Sequence, residues 1–72
     1  MGVRKIGGRF YVYFNWKGNR LQTVTAALNE AEAKRIERSV KTAFNIYRFD
    51  HLEPKALEVT LKIFETKGWK LP

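Results

Sequence analysis

The chain contains no cysteine and only one histidine. Disulfides and thiolate metal sites are excluded, and a lone imidazole without sulfur partners argues against a metal centre. The lack of cysteine is also compatible with a reducing compartment. No apolar run is long enough to cross a bilayer, and no secretory pattern is present. Glycine-rich phosphate loops and nucleophile motifs are missing, as are internal repeats and low-complexity segments.

The most informative shortage is of acid. Seven Asp and Glu face fourteen Lys and Arg, and the first acid in the chain is Glu30. Residues 1–29 hold Arg4, Lys5, Arg9, Lys17 and Arg20, so +5 of the formal +7 lies in that stretch. The remainder carries nine cations against seven acids, a mixed-sign balance typical of solvated surface. A basic excess on so small a domain favours a polyanionic partner, usually nucleic acid.

The 72 residues are 44% hydrophobic and 14% aromatic, which suits one small globular domain spanning residues 1–72. At this size a single core supplies roughly 3–5 kcal/mol. Residues 3–6, VRKI, read as a short strand. Gly7-Gly8 forms a two-residue hairpin turn. Residues 9–17, RFYVYFNWK, give the clearest strand, aromatic and without a helix cap. Gly18-Asn19 suits a second turn of type II′ geometry, and residues 20–25, RLQTVT, a third strand. The turns then set the register: Ile6 opposite Arg9, Arg4 opposite Tyr11, Lys17 opposite Arg20 and Asn15 opposite Gln22. One face collects Val3, Lys5, Phe10, Val12, Phe14, Trp16, Leu21, Thr23 and Thr25. The other presents Arg4, Arg9, Tyr11, Tyr13, Asn15, Lys17, Arg20 and Gln22, together with Ile6 and Val24.

A helix follows over residues 29–47. Asn29 is a good N-cap, Glu32 completes a capping-box pattern, and Ala33, Ile36, Val40, Ala43, Phe44 and Tyr47 recur at helical spacing. Residues 48–53 connect to a second helix over 54–67, opened by Pro54 and stopped at Lys67-Gly68. In that helix Leu57, Leu61 and Phe64 are expected in the core, with Ile63 and Trp69 available to a partner. The tail Trp69-Lys70-Leu71-Pro72 either docks back on the core or meets another chain.

The polar sheet face carries the chemistry. Its Arg and Lys can neutralise phosphates. Asn15, Gln22 and an Arg can make bidentate hydrogen bonds to base edges in a major groove, which admits a small sheet. Tyr11 and Tyr13 can contact sugars or a thymine methyl, or stack on unpaired bases. Any open antiparallel sheet has a wet face, and Lys or Arg there also guards against edge association; the charge asymmetry favours binding over that simpler reading. The aromatic run at 10–14 lacks the longer signature and the fourth strand of an RRM. Asp50 beside His51 is the one pair resembling catalytic chemistry, and it reads more simply as a turn and loop; Ser39 stands alone in a helix.

The segments Val3-Arg4-Lys5, Gly8-Arg9-Phe10-Tyr11-Val12-Tyr13-Phe14, Gly18-Asn19-Arg20 and Glu30-Ala31-Glu32-Ala33 resemble the N-terminal arm-type DNA-binding domain of phage and transposon integrases, of the tyrosine recombinase family. The order of three strands and a helix is also similar to the plant ethylene-response-factor domain. The resemblance covers residues 2–47 and implies duplex DNA read by the sheet, with Tyr11, Tyr13, Asn15, Arg20 and Gln22 on the DNA face. The chain departs from the pattern at Asn19, where Lys is usual, and at Ala26-Ala27-Leu28-Asn29, where an aromatic and a Thr are usual.

These readings converge on an α+β domain in which a three-stranded antiparallel sheet packs on a helix, followed by a second, C-terminal helix. The expected function is non-catalytic binding of double-stranded DNA, with no cofactor and no metal; 72 residues leave no room for a recombinase catalytic domain. Further partners on this reading are such a domain elsewhere in a longer integrase, and a second copy of the chain, with no membrane. The expected location is the prokaryotic cytoplasm, associated with the nucleoid. The rival function is a protein-interaction or dimerisation module using the C-terminal helix and tail.

Overall fold

A computed structural model describes residues 2–71. The chain runs β1 (Gly2–Ile6), β2 (Arg9–Trp16), β3 (Asn19–Val24), α1 (Glu30–Ile46) and α2 (Pro54–Lys67). The strands form one antiparallel sheet in the order β1-β2-β3. This is the expected α+β architecture. Pro72, the end of the expected tail, lies outside the described residues.

The first hairpin has the register expected, with Ile6 opposite Arg9 and Val3 opposite Val12. The second turn lies one residue earlier than expected. Lys17 and Gly18 occupy it, at φ 49° and 78°, and Trp16 pairs with Asn19. Positive φ at both central residues is the type I′ geometry whose twist matches the flanking strands. Lys17 gives up roughly 1–2 kcal/mol to take this conformation. Two contacts offset that cost: its ammonium lies 4.9 Å from the Trp16 ring centre, and Asn19 Nδ2 donates to its carbonyl at 3.3 Å. Moving the turn by one residue slips the pairing by two, so Asn15 faces Arg20 and Tyr13 faces Gln22. A two-residue slip keeps every side chain on its original face.

Both helices cover one face of the sheet. Val12, Phe14 and Leu21 meet Ile36, Val40 and Phe44 of α1 and Ala56, Val59, Ile63 and Phe64 of α2 in one buried cluster. Phe44 is its centre, with ring centroids of Phe14, Trp16, Phe49 and Phe64 all 5.1–5.5 Å away. Phe10, on the same face as Val12 and Phe14, is only half-buried and lies beneath the Lys5 ammonium at 5.6 Å.

Helix α1 ends on Tyr47, which is left-handed at φ 53° and ψ 44° and closes the last turn through its N–H to the Phe44 carbonyl. Tyr47 is thus a cap and not part of the apolar stripe. Its ring stacks on Trp16 at 5.8 Å with 3° between planes.

Helix α2 is rotated relative to the expectation. It buries Ala56, Val59, Thr60, Ile63 and Phe64, whereas Leu57 is half-buried and Leu61 exposed. The small Ala56 lets the helix approach closely. Thr60 is buried without cost to its hydroxyl, which donates to the Ala56 carbonyl at 3.0 Å. Trp69 turns inward, edge-on to Trp16 at 5.6 Å and to Phe64 at 6.0 Å. Ile63 is therefore a core residue, and Trp69 packs half-buried against the core rather than standing free for a partner.

Glu32 ties the two helix starts together. Its N–H donates to Asn29 Oδ1 at 2.8 Å, and its Oε1 accepts from the Leu28 N–H and from Lys55 Nζ, both at 2.8 Å. The Lys55 ammonium first, and the Leu28 N–H second, hold its carboxyl below the usual glutamate range. A lowered pKa means stability that is present above the unfolded-state value and is lost as pH falls through the folded one. Glu32→Gln is accordingly expected to lower the melting temperature near neutrality and to match the wild type once the pH is below the Glu32 pKa. Thermal melts followed by circular dichroism across the acid range check this; a constant gap at all pH values would contradict it.

Candidate nucleic-acid interface

Strand β2 decides the site. Val12 and Phe14 are buried and Trp16 is packed on the core, so the alternate residues Tyr11, Tyr13 and Asn15 must point to the opposite face. Cross-strand pairing then builds rows on that face. Arg4, Tyr11 and Val24 form one, Gly2, Tyr13 and Gln22 the next, and Asn15 with Arg20 the third. Ile6 with Arg9 closes the end at the first turn. Arg4, Arg9, Asn15, Arg20 and Gln22 are exposed, and Tyr11 and Tyr13 are half-buried. Seven of the eight predicted residues thus share one face. The eighth, Lys17, sits in the turn with its ammonium over Trp16, whose ring belongs to the core side.

The tyrosines are positioned rather than loose. Tyr13 leans across the strand so that a Cβ on Gly2 would lie 3.4 Å from its hydroxyl. The Arg4 guanidinium carbon is 5.2 Å from the Tyr13 ring centre. Arg4 pairs with Tyr11, so Tyr13 is its diagonal neighbour, within reach of a long side chain. An aromatic ring covering a strand glycine compensates for the missing side chain.

Electrostatically, the face is one-signed. The ion pairs among the described residues all lie between positions 32 and 62. There Arg35, Arg48, Lys55 and Lys62 each have a carboxylate, whereas among the described residues Arg4, Arg9, Lys17 and Arg20 have none. Bidentate-capable groups gather toward the second turn, where Asn15 and Arg20 are paired and Gln22 lies one row back. The cations Arg4 and Arg9 lie toward the first turn. Such a surface can make charge-assisted bonds to phosphate and two-point bonds to base edges.

The candidate catalytic pair is elsewhere. His51 Nε2 lies 3.3 Å from Asp50 Oδ2, both side chains are largely exposed, and Arg48 shares the same carboxylate at 3.6 Å. Ser39, expected to stand alone on α1, lines the same surface groove as His51, with Arg38, Thr42 and Arg48. No group of three or more potential metal ligands occurs among the described residues. No described helix is long and apolar enough to cross a membrane.

Two features of the surface went unpredicted. Gly2 extends β1 by one residue and seats Tyr13, a position that the 3–6 strand assignment left out. Thr66 and Lys67 of α2 border the β3 edge beside Arg20 and Gln22. The register could have yielded the first; only knowledge of where α2 docks yields the second. Comparison with protein-family models, curated proteins and solved structures found no match to this chain.

The face assignment is checked without any ligand. Asn15→Ala and Arg20→Ala are expected to change stability by less than about 0.5 kcal/mol, as exposed substitutions do. Phe14→Ala, at 2% exposure, is expected to cost about 3–5 kcal/mol. Urea denaturation measures all three, and a large loss for Arg20→Ala with none for Phe14→Ala would invert the faces.

Proposed function

We propose that this chain is a non-catalytic duplex-DNA-binding domain that presents the open face of its sheet to the major groove. The observation carrying the proposal is the acid-free sheet face, whose cations have no carboxylate partner among the described residues, whereas in the helix region Arg35, Arg48, Lys55 and Lys62 each have one. Unpaired cations gathered on one surface are available to phosphates, and each contact releases counterions. Size supports the reading. Three strands about 4.8 Å apart span about 10 Å, which suits a major groove about 12 Å wide.

Roles follow from position. Arg4, Arg9 and Arg20 engage phosphates, with Lys17 reaching the backbone from the turn. Asn15 and Gln22 address base edges, as does Arg20 where a guanine is in reach. Tyr11 and Tyr13 supply apolar contact to sugars or thymine methyls. The resemblance to integrase arm-type domains selects the same face, and on that reading a recombinase catalytic domain belongs to the same longer protein. A prokaryotic cytoplasm, at the nucleoid, is the compartment that fits. A dimerisation module is the second reading: Ile63 and Trp69 are spent on the chain's own core, which leaves Leu61 and Leu71 as the exposed apolar groups of the helix and tail.

Fluorescence anisotropy with a labelled duplex, titrated over a range of salt, tests the proposal. Affinity is expected to fall steeply with salt, with a log–log slope of at least about −3 from the sheet cations. Arg20→Ala and Tyr13→Ala are expected to weaken binding while leaving the circular dichroism spectrum unchanged, and Arg20→Ala to reduce the slope by about 1. Absence of binding to any duplex, or binding indifferent to salt, would overturn the proposal.

A further inference from the structure

The resemblance to arm-type domains stops at residue 47, so α2 has no role in it. The position of α2 suggests one. Its last turn runs beside β3, and the two enclose a shallow groove of about 130 Å³ lined by Arg20, Leu21, Gln22, Ile63, Thr66 and Lys67. Leu21 and Ile63 are buried and form an apolar floor. The rim is polar: a guanidinium and a carboxamide from the strand, a hydroxyl and an ammonium from the helix. No carboxylate lines it.

The lysines of α2 differ in a way that marks this groove. Lys55 is held by Glu32 at 2.8 Å, and Lys62 by Glu58 at 3.4 Å. Among the described residues Lys67 has no ion-pair partner, and it is the one that borders the groove with Arg20. The nearest acid in sequence, Glu65, is two positions away, which on an α-helix places it about 200° around the axis. Two cations facing one groove with no acid between them repel, and an anion seated there relieves the repulsion.

We infer that this β3–α2 groove receives a backbone phosphate of bound DNA, so that α2 holds one wall of the groove the sheet enters. The inference rests on the DNA-binding reading above. A sheet about 10 Å wide lying in a groove about 12 Å wide leaves its edge strands against the flanking backbones. Strand β3 is one such edge, and α2 packs along it. Lys67 then supplies the charge, the Thr66 hydroxyl a neutral hydrogen bond, and Arg20 the bridge between phosphate and sheet face. The second helix thereby adds affinity without adding base contacts.

Lys67 also lies in the last turn of α2, where any cation offsets the helix dipole. The test separates the two roles. Duplex affinity and its salt slope are measured by anisotropy for the wild type, Lys67→Gln, Lys67→Arg and Lys34→Gln, the last an exposed α1 residue that controls for loss of one charge. Melting temperatures are recorded alongside. Lys67→Gln is expected to weaken binding three- to tenfold and to lower the slope by about 1, Lys67→Arg to restore both, and Lys34→Gln to leave the slope unchanged. If the wild type binds with a steep salt dependence that Arg20→Ala reduces, but Lys67→Gln leaves the slope at the wild-type value, the α2 contact is wrong and the sheet reading stands. A slope lowered equally by Lys34→Gln reduces Lys67 to general charge and overturns the inference. Absence of duplex binding by the wild type overturns both.

Discussion

The sheet takes its orientation from one anchoring point, the contact of Trp16 with Phe44. The Trp16 indole N–H donates to the Phe44 carbonyl at 3.1 Å, and the two rings meet edge-on at 5.1 Å. That carbonyl lies in the last turn of α1, where it also accepts from the capping Tyr47 N–H at 3.2 Å and where this helix has no basic residue. One side chain thus adds a second donor at the helix end, joins the aromatic cluster and ties the end of β2 to α1. Strand alternation does the rest. Once Trp16, Phe14 and Val12 face the helices, Asn15, Tyr13 and Tyr11 have no other direction open to them.

The same corner collects the two non-glycine left-handed residues among those described, Lys17 and Tyr47. Each lies beside Trp16, one with its ammonium over the ring and the other stacked flat against it. Left-handed backbone at such residues persists where surrounding contacts over-determine it. Here a tight hairpin and an abrupt helix end meet on one indole, and the strain at both is offset by contact with it. The cost has a positional return: the turn stays short, so Arg20 and Asn15 begin the outer face immediately beyond it.

Much of this was legible in the sequence, and the exceptions have physical causes. The partition of sheet faces survived an error in the turn because the slip was of two residues, and parity is blind to even slips. Helix α1 was readable because its cap, its acid-rich first turn and its stripe agree. Helix α2 was only partly readable: Phe64 is in the core as expected, but residues 57 and 61 and residues 56, 59, 60 and 63 both lie at helical spacing to it. Choosing between them requires the neighbours: a close approach that favours Ala56, and a buried Thr60 whose hydroxyl is satisfied locally. Lys67 and Thr66 were invisible as surface partners of Arg20 for the same reason, since sequence periodicity says which faces a helix has but not what lies beside them.

Charge is segregated along the chain as well as over the surface, and this links stability to function. Acids begin at Glu30 and serve the helices: Glu32 accepts from the Leu28 N–H ahead of α1 and grips Lys55 of α2, and Glu53 and Glu58 pair with Arg35 and Lys62. The helix layer is thus held partly by neutralised charge, while the sheet is held by apolar contact from behind and needs no acid on its outer side. A carboxylate placed there would pair with Arg4, Arg9 or Arg20 and gain little, because exposed ion pairs contribute at most about 1 kcal/mol. It would also repel the polyanion for which the face is proposed. The uncompensated cations are therefore not an omission that folding would correct. Folding is nearly indifferent to them, and under the proposed function their freedom from carboxylates is what allows the face to meet phosphate without first breaking an ion pair of its own.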